Sequence, residues 1–271
     1  MSKNENHEFK NIKYILTSTM RTKLIISIYE KEKNLEELRN ELKKPSATIL
    51  HGLKELENLN FVKKINKNYS LTSNGYLLAV NMLKLIENWY SINKNEIFWN
   101  RHDLKCIPKE LLKKLYQLKN SYCINSTNDD LSKALTTYIE LLGESENLKI
   151  ILPIFSEIHI ENLLNLVEKG NIDNLSLITR EEIIKSIHEH PKFKEILNLN
   201  NVKVTTLNLP INIFLTCSDE FISLTLFFKD GHYDDSQLLI DRSEEGILWG
   251  ESLFNHYKKK KIAIKKQMIE E

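Results

Sequence analysis

The sequence predicts an α/β protein that also contains a winged helix-turn-helix. Two patterns support this: residues 10–71 place helical segments before two short strands, and residues 104–260 alternate strands with helices. We therefore expect three regions. They are a winged helix-turn-helix over residues 1–75, a linker helix over residues 76–103, and a three-layer α/β domain with a mostly parallel sheet over residues 104–271.

Composition indicates a globular protein with a sizeable core, because 41% of the residues are apolar and 28% are charged. No apolar run approaches the ~18 residues that a membrane span requires. The polar start from Met1 to His7 contains no signal-peptide stretch. The three cysteines, Cys106, Cys123 and Cys217, are far apart, which argues against a disulfide framework or a structural zinc site. We expect a cytoplasmic protein without membrane contact.

Sequence motifs that carry catalysis are missing. The chain contains no GxGxxG, P-loop, GxSxG or HExxH pattern. His188 and His190 are two residues apart, a spacing that does not place both on one helix face. His190-Pro-Lys192 matches the HxK pattern of phospholipase D enzymes, but Leu197 stands where their aspartate is required. We therefore expect a protein that is not an enzyme and holds no cofactor or metal.

The first region begins with helical patterns that are separated by short breaks. Apolar residues recur at helical spacing from Lys10 to Tyr29, with a joint at residues 19–21. Asn34 is a suitable N-cap for a short helix that ends near Leu42. Residues 43–46 then interrupt the pattern before the next helix.

The most informative helix is predicted from Pro45 to Asn58. Ile49, Leu53 and Leu56 follow the i, i+4, i+7 spacing of a buried stripe. At ~100° per residue, the opposite side of the helix carries mostly polar residues. That side consists of Ala47, His51, Lys54 and Asn58.

A β-hairpin is predicted directly after this helix. Residues 61–65 and 69–71 have strand character, and the polar triplet at 66–68 favours a turn. Two helices joined by a short turn and followed by a hairpin make a winged helix-turn-helix. In that motif the second helix enters the major groove of DNA, and the hairpin approaches the phosphate backbone.

Charge is unevenly distributed, with net values of +5 over residues 1–100, −8 over residues 101–257 and +4 over residues 258–271. The positive charge of the first region fits a polyanionic partner. The lysine-rich tail has two interpretations, a secondary contact with nucleic acid or a solvated terminus. We predict that polar groups of the second helix contact base edges or phosphates and that the hairpin lysines contact phosphates. The predicted DNA surface consists of Lys44, Ser46, Ala47, Thr48, His51, Lys54, Lys63, Lys64 and Lys67.

One segment carries a family resemblance. Ser46-Ala-Thr-Ile-Leu-His-Gly-Leu-Lys-Glu-Leu-Glu57, followed by Phe61-Val62, resembles the recognition helix and wing entry of ArsR-type winged-helix regulators. The resemblance covers about residues 10–75 and implies binding to double-stranded DNA. The cysteine pair with which such regulators bind metal is missing, since no cysteine precedes Cys106. A protein-binding scaffold is the alternative for this region.

A long helix is predicted from Thr72 to about Asn100. Its apolar arc is too broad for one side of a small domain to cover, so we expect the helix to form a homodimer interface. Burial against the second domain is the alternative. The central stripe comprises Leu78, Met82, Leu85, Trp89 and Ile92, and it is widened by Leu77, Val80, Leu83, Ile86 and Tyr90.

The second region alternates strands and helices, which implies a largely parallel sheet covered on both faces. Strands are predicted at residues 122–125, 148–152, 175–178, 202–207, 211–217 and 221–228. Helices are predicted at residues 108–118, 129–142, 157–168, 180–188, 192–199 and 243–260.

Ligands of parallel sheets bind beyond the carboxyl ends of the strands. We therefore predict a site for a small polar or anionic molecule at that edge. Ordinary helix capping and a structural hydrogen bond from Tyr233 and Asp234 to the last helix are the alternatives. The predicted ligand residues are Ser126, Thr127, Pro153, Thr179, Arg180, Tyr233 and Asp234.

A second resemblance lies in this region. Ile107-Pro-Lys-Glu-Leu-Leu112, Phe227-Phe-Lys-Asp-Gly-His-Tyr-Asp234 and Trp249-Gly-Glu-Ser-Leu-Phe-Asn-His-Tyr257 resemble the effector domain of archaeal methanogenesis-regulatory proteins. That family places this domain after an ArsR-like winged helix. The resemblance spans roughly residues 100–258 and implies a transcriptional regulator of a methanogen-type archaeon.

Together these patterns predict a homodimeric transcriptional regulator. Double-stranded DNA, a second copy of the chain and an unidentified small-molecule effector are the expected partners. An α/β enzyme that is targeted to DNA and a protein-interaction adaptor without a ligand are the alternative functions.

Overall fold

The computed structural model describes residue 10, residues 12–189 and residues 199–267, with side chains up to residue 260. The helix predicted at residues 192–199 lies almost entirely outside the described residues, as do the lysine side chains after residue 260. The chain divides into two compact units, Met1–Ile86 and Glu87–Glu271. Within the described residues, no helix is both long and apolar enough to cross a membrane.

The first unit contains helices and a small antiparallel sheet in the order β1-β3-β2. The helix predicted from Pro45 begins at Ser46, and the predicted hairpin is present with a turn at Asn66, which has a φ of 56°. The elements are α1 (Thr19–Glu30), β1 (Lys33–Asn34), α2 (Leu35–Leu42), α3 (Ser46–Asn58), β2 (Val62–Ile65), β3 (Asn68–Leu71) and the first part of α4 (Ser73–Lys94).

Local sequence determines where these helices begin. The Ser18 side chain accepts a hydrogen bond from the Arg21 amide, so α1 starts after Ser18 and the predicted joint at residues 19–21 lies slightly too late. Asn34 caps α2 as predicted, and Glu37 completes a reciprocal capping box with it. The two helix starts thus follow from side-chain oxygens that satisfy otherwise unpaired backbone amides.

The core of the first unit contains the predicted stripe of α3. Ile49, Leu53 and Leu56 are each at most 1% exposed. Gly52 lies on the same side, where a Cβ atom would come within 2.8 Å of the Leu24 Cδ1 atom of α1. The glycine therefore permits the close approach of α1 and α3.

The second unit is built on one seven-stranded sheet. Its helices pack on both faces of the sheet. The elements after α4 are α5 (Glu96–Arg101), α6 (Lys109–Leu112), a 3₁₀ turn (Leu115–Leu118), β4 (Tyr122–Asn125), α7 (Lys133–Leu142), β5 (Asn147–Leu152), α8 (Glu157–Glu168), β6 (Asn174–Arg180), α9 (Glu181–His188), β7 (Val202–Leu207), β8 (Ile213–Cys217), β9 (Ile222–Leu226), β10 (Gln237–Asp241) and α10 (Glu244–Gln267).

The sheet is mixed, and the prediction of a mostly parallel sheet was wrong. The strand order is β4-β10-β9-β8-β5-β6-β7. Only the β5–β6 and β6–β7 pairs are parallel, whereas the other four described pairs are antiparallel. The reason is that β8 and β9 form a tight hairpin, which inserts antiparallel strands between β4 and the parallel group.

Strand β10 was absent from the predicted elements. Gln237, Leu238, Leu239, Ile240 and Asp241 are all buried, and the strand pairs with both β4 and β9. Its five residues form a short apolar run with polar ends, which does not show the alternation of a half-exposed strand.

The predicted single helix from Thr72 to Asn100 is divided at Asn95. This residue has φ −120° and ψ 38°, which interrupts the helix before α5. The buried Asn95 amide donates to Ser121 Oγ at 2.8 Å, and the Trp99 indole nitrogen donates to the Ser91 carbonyl at 3.3 Å. These two hydrogen bonds fix the break within the second unit. The predicted helix at 108–118 is likewise divided into α6 and the 3₁₀ turn.

Two cores lie on opposite faces of the large sheet. Successive strand residues such as Ile150 and Ile151 belong to different cores, as the pleat requires. Helices α7, α8 and α9 contribute to one core, and helices α5, α6 and α10 contribute to the other. The described part of the second unit thus has three layers, with the sheet in the middle.

Candidate nucleic-acid interface and ligand cavity

The outward side of α3 is the candidate nucleic-acid interface of the first unit. His51 and Lys54 are exposed, and the His51 side chain is 77% accessible. Ala47, Thr48 and Asn58 are exposed as well, whereas Ser46 is half-buried. The predicted division of α3 into a buried stripe and a solvent side is confirmed, because the stripe packs into the core.

One of the two acidic residues of this helix, Glu55, has local partners. Arg21 Nη1 donates to Glu55 Oε2 at 2.8 Å, and the Tyr14 hydroxyl donates to Glu55 Oε1 at 2.6 Å. These hydrogen bonds, from Tyr14 first and then from Arg21, hold the pKa of Glu55 below its usual range. The negative charge beside His51 is therefore compensated by Arg21 of α1, which leaves the α3 surface more favourable to an anion.

The hairpin lysines are exposed but do not share one face. Lys63 and Lys64 are successive residues of β2, so their side chains leave opposite sides of the strand. The Lys64 ammonium lies 5.3 Å from the centre of the Tyr69 ring. Lys64 and Lys67 border the same shallow depression as Leu50 of α3, whereas Lys63 does not line it. Helix α3 and two of the three lysines thus contribute to one continuous surface.

The predicted ligand residues at the strand ends do not form one site. Strands β4 and β6 are five positions apart in the sheet, which corresponds to about 24 Å at ~4.8 Å per strand. Ser126 and Thr127, after β4, are therefore far from Thr179 and Arg180, at the end of β6. The prediction of a single pocket formed by these residues was wrong, because strands β10, β9, β8 and β5 lie between β4 and β6.

Most of these residues make local hydrogen bonds instead. Ser126 Oγ accepts from the Ala134 amide at 3.3 Å, which stabilises the start of α7. Thr179 Oγ1 donates to the Leu152 carbonyl at 2.7 Å. Arg180 Nη2 donates to the carbonyl of Pro153 at 3.3 Å, which links β6 to the segment after β5. Helix capping, the alternative interpretation, therefore accounts for Ser126 but not for Thr179.

Asp234 belongs to a buried pair with His102. His102 Nε2 and Asp234 Oδ2 are 3.0 Å apart, and His102 Nδ1 is 2.6 Å from the Phe98 carbonyl oxygen. Burial alone would raise the pKa of Asp234, but hydrogen bonds from His102 and Ser236 hold it below its ordinary value. The predicted hydrogen bond from Tyr233 and Asp234 to the last helix does not form, because Asp234 faces His102.

A cavity of about 320 Å³ opens in the second unit, on the face covered by α7 and α8. Of the predicted ligand residues, only Tyr233 lines it. Its walls come from α7, from the start of α8 and from strands β8, β9 and β10. The lining residues are Leu131, Ser132, Ala134, Leu135, Tyr138, Ile154, Ser156, Ile158, His159, Phe214, Ser223, Thr225, Tyr233, Asp235, Gln237 and Leu238.

Aromatic rings form much of the cavity wall. The ring centres of Tyr138, His159 and Phe214 are mutually 5.2 Å apart. The Tyr233 ring lies 6.4 Å from that of Phe214 and 5.4 Å from that of Phe227. These separations are within the range of favourable ring contacts, so the rings support one another in the wall.

The polar groups of the cavity are almost all neutral. Burial lowers the pKa of His159 to about 4, so its imidazole is uncharged near neutral pH. Burial also raises the pKa of Tyr138, whose hydroxyl lies 3.0 Å from Thr216 Oγ1. Gln237 borders the cavity with its main chain, because its side chain lies on the same face of the sheet as that of Leu239. The cavity therefore combines an apolar aromatic wall with uncharged buried polar groups.

Four residues central to this cavity were absent from the predicted site, namely Tyr138, His159, Phe214 and Gln237. The sequence offered little signal for them. Tyr138 and Phe214 follow patterns typical of core positions, and Gln237 lies in the strand that was not predicted. Their proximity depends on the order of strands in the sheet, which local patterns do not encode.

Comparisons with known proteins identify related sequences for both units. The N-terminal domain of methanogenesis regulatory protein FilR1 matches residues 9–89, and the middle domain of the same protein matches residues 131–260. These matches support a regulator family. They occur in the same order as the two domains suggested by the sequence.

A curated relative is the methanogenesis regulatory protein FilR1 of Methanothrix harundinacea (strain 6Ac). It is 23% identical over 261 residues, and the alignment covers 93% of this chain. The same alignment covers 58% of the relative, so the chain spans little more than half of that protein's length.

Three solved structures show a distant likeness to this chain. The archaeal chromatin protein TrmBL2 gives a TM-score of 0.40 at 14% identity, covering 90% of this chain and 93% of that one. HmgR of Pseudomonas aeruginosa gives a TM-score of 0.26 at 10% identity, covering 90% of this chain and 96% of that one. The dimethyltransferase RosA of Streptomyces davawensis gives a TM-score of 0.26 at 10% identity, covering 77% of this chain and 68% of that one. TM-scores this low assign neither a fold nor a function.

Proposed function

We propose that this protein is a transcriptional regulator that binds double-stranded DNA through an ArsR-like winged helix-turn-helix in its first unit. One observation carries the proposal: α3 buries its apolar stripe, presents a polar side to solvent, and is followed by a lysine-bearing hairpin on the same surface. This segment also lies within the match to the FilR1 N-terminal domain. FilR1 is named as a regulator of methanogenesis, and we propose a related role here.

In this proposal α3 occupies the major groove. Thr48, His51 and Lys54 contact base edges or nearby phosphates, and Ala47 permits close approach to the bases. Ser46 and Lys44, at the start of the helix, contact the backbone, where helix amides favour an anion. The hairpin lysines Lys63, Lys64 and Lys67 contact phosphates, which fixes the position of α3 without reading sequence.

We further propose that the protein acts as a homodimer. Four exposed apolar residues of α4 follow the spacing i, i+1, i+4, i+5, which places them on one side of the helix. They are Leu85, Ile86, Trp89 and Tyr90, with exposures of 56%, 45%, 62% and 56%. Ala79 and Met82 belong instead to the core of the first unit, and Ile92 packs against a core of the second. The proposed interface is therefore narrower than the predicted arc.

The three predicted regions of the chain have separate roles in this proposal. Residues 1–75 bind DNA, residues 76–103 form the dimerisation helix, and residues 104–271 hold an effector. An effector changes DNA affinity only if it binds more tightly to one arrangement of the dimer. A coupling free energy of about 1–3 kcal/mol would change operator affinity about 5–150-fold.

Selection of genomic fragments tests the DNA-binding proposal. The full-length protein is incubated with sheared DNA of its own genome at near-physiological salt, and bound fragments are sequenced. We expect enrichment of a few fragments that contain a two-fold symmetric site, since a symmetric dimer binds two half-sites about one helical turn apart. Recovery of fragments in proportion to their abundance would contradict sequence-specific binding.

A further inference from the structure

We infer that the cavity in the second unit binds an uncharged aromatic molecule. The inference rests on the effector part of the proposed function and specifies the chemistry of that effector. It differs from the polar or anionic ligand that the strand-end residues suggested.

Size and wall chemistry favour an aromatic occupant. An apolar cavity of about 150 Å³ accommodates benzene. The present cavity measures about 320 Å³, which suits a substituted ring or a fused bicycle. The rings of Tyr138, Phe214 and Tyr233 line it, and their faces and edges offer stacked and edge-on contacts to another ring.

Charge excludes an anionic occupant. The described residues that line the cavity include no lysine and no arginine. His159 cannot replace them near neutral pH, because burial keeps its imidazole uncharged. The one carboxylate in the lining, that of the exposed Asp235, would repel a second negative charge. Arg180, which was predicted to bind a ligand at the strand ends, donates to the Pro153 carbonyl and is not among the lining residues of the cavity.

A cationic occupant is disfavoured by the same lining. Asp235 is exposed, so water screens its carboxylate. The buried polar groups of the lining are hydroxyls and amides, which cannot neutralise a full charge. A charged group of either sign would therefore lose its hydration without gaining an ionic partner.

Gln237 borders the cavity with its main chain and not with its side chain. Leu239, two positions further along β10, belongs to the core on the opposite face of the sheet, and residues two apart in a strand share a face. The main-chain carbonyl of Gln237 accepts a hydrogen bond from the Thr225 hydroxyl at 3.3 Å, so this polar group of the wall is already paired.

Two probes of nearly the same shape test the charge selection. Indole-3-acetamide is neutral and has donors, whereas indole-3-acetate is an anion at neutral pH. Calorimetric titration of the full-length protein gives the dissociation constant of each probe. We expect the amide to bind at least about tenfold more tightly than the carboxylate, since only the carboxylate must bury an unpaired charge.

Two variants locate the binding. Ser132→Trp adds bulk at an exposed position of the lining and should abolish binding without disturbing the core. Ser252→Trp places the same bulk at an exposed position of α10 and should leave binding unchanged. Far-ultraviolet circular dichroism checks that each variant is folded.

Three outcomes would overturn the inference. They are equal binding of amide and carboxylate, unchanged amide binding in the Ser132→Trp variant, and no binding of either indole-3-acetamide or benzamide up to their solubility limits. The titrations contain no DNA, so their failure is distinct from failure of the proposed DNA binding. Conversely, if the protein binds the probes selectively but enriches no genomic fragment, the inferred ligand binding stands and the proposed DNA-binding function is refuted.

Discussion

Gly75 shows how a single residue constrains the first unit. It lies in the first turn of α4, and a Cβ atom there would come within 1.9 Å of the Phe61 carbonyl oxygen. The same oxygen accepts the Thr72 amide at 3.0 Å, so both sides of the contact are main chain. The main chain at Phe61 cannot move aside as a flexible side chain would, so only glycine fits at residue 75.

The first prediction follows from this contact. Gly75→Ala should destabilise the first unit by at least the ~1–3 kcal/mol that is typical of overpacking. Gly143→Ala is the matched control, since its nearest contact is an ordinary 3.4 Å to the Glu140 carbonyl oxygen. Thermal unfolding followed by circular dichroism measures both variants. Equal thermal midpoints for the two variants and the wild type would contradict the claim that the Phe61 carbonyl excludes a Cβ atom at residue 75.

The second prediction concerns pH and the buried pair of His102 and Asp234. The pKa of Asp234 is lowered in the folded protein, although burial alone would raise it, because His102 and Ser236 hydrogen-bond to its carboxylate. A lowered folded-state pKa means that the stabilisation is present above the unfolded-state pKa of about 3.9. It is lost as the pH falls through the still lower folded-state pKa.

Urea unfolding between about pH 7 and pH 2 measures this effect. Asp234→Asn should lower stability at neutral pH and remove part of the acid-induced loss that the wild type shows. Asp235→Asn, at the exposed neighbouring position, should behave as the wild type does. If the free energies of unfolding of the wild type and of Asp234→Asn fall in parallel down to the lowest pH, the Asp234 carboxylate does not contribute to the acid-induced loss of stability.

At the scale of elements, α4 carries the proposed dimer. Trp89→Glu should weaken self-association by roughly 100-fold, because a two-fold interface would bury two unpaired carboxylates. Leu248→Glu on α10 is the control, since Leu248 is also an exposed apolar residue, at 49%. Sedimentation equilibrium gives both dissociation constants. A wild-type monomer at micromolar concentration would contradict the dimer.

Elements with strong local signals were predicted well. Helix α3 was expected from residue 45 and begins at Ser46, and the strands near Tyr122, Leu148 and Val202 lie at the expected places. The apolar spacing of α3 also gave the correct buried side. These features depend on residues within one or two turns of each other, so the sequence pattern contains them.

Features that depend on distant residues were not predicted. Strand direction in the large sheet is set by which strands become neighbours, and β10 joins β4 to β9 across more than one hundred residues of sequence. The cavity depends on that neighbourhood, because Gln237 and Leu238 belong to β10. Inferring parallel strands from alternation alone therefore grouped candidate ligand residues that the sheet keeps apart.

At the scale of the whole molecule, the proposal assigns DNA binding to one unit and effector binding to the other. Residues 1–100 have a net charge of +5 and residues 101–257 one of −8, which fits this division. Binding to DNA should weaken steeply with salt, because each neutralised phosphate releases counterions. Replacing Lys64 and Lys67 together by alanine should reduce the slope of log affinity against log salt by about 2.

That slope is measured by titrating an enriched genomic fragment at several salt concentrations. The reduction should be equal for the enriched fragment and for a random fragment, since phosphate contacts carry no sequence information. An unchanged slope would show that these lysines do not contact the DNA backbone.

The most direct test of the account is whether α3 reads the DNA. Fluorescence anisotropy at one fixed salt concentration compares wild type, His51→Ala, Lys54→Ala and the control Lys169→Ala, an exposed lysine of the second unit. For the enriched fragment, His51→Ala and Lys54→Ala should each lose about 5–150-fold in affinity, as expected for ~1–3 kcal/mol per base contact, while Lys169→Ala binds as the wild type does. Wild-type affinity in both α3 variants would contradict the central claim that this helix recognises DNA.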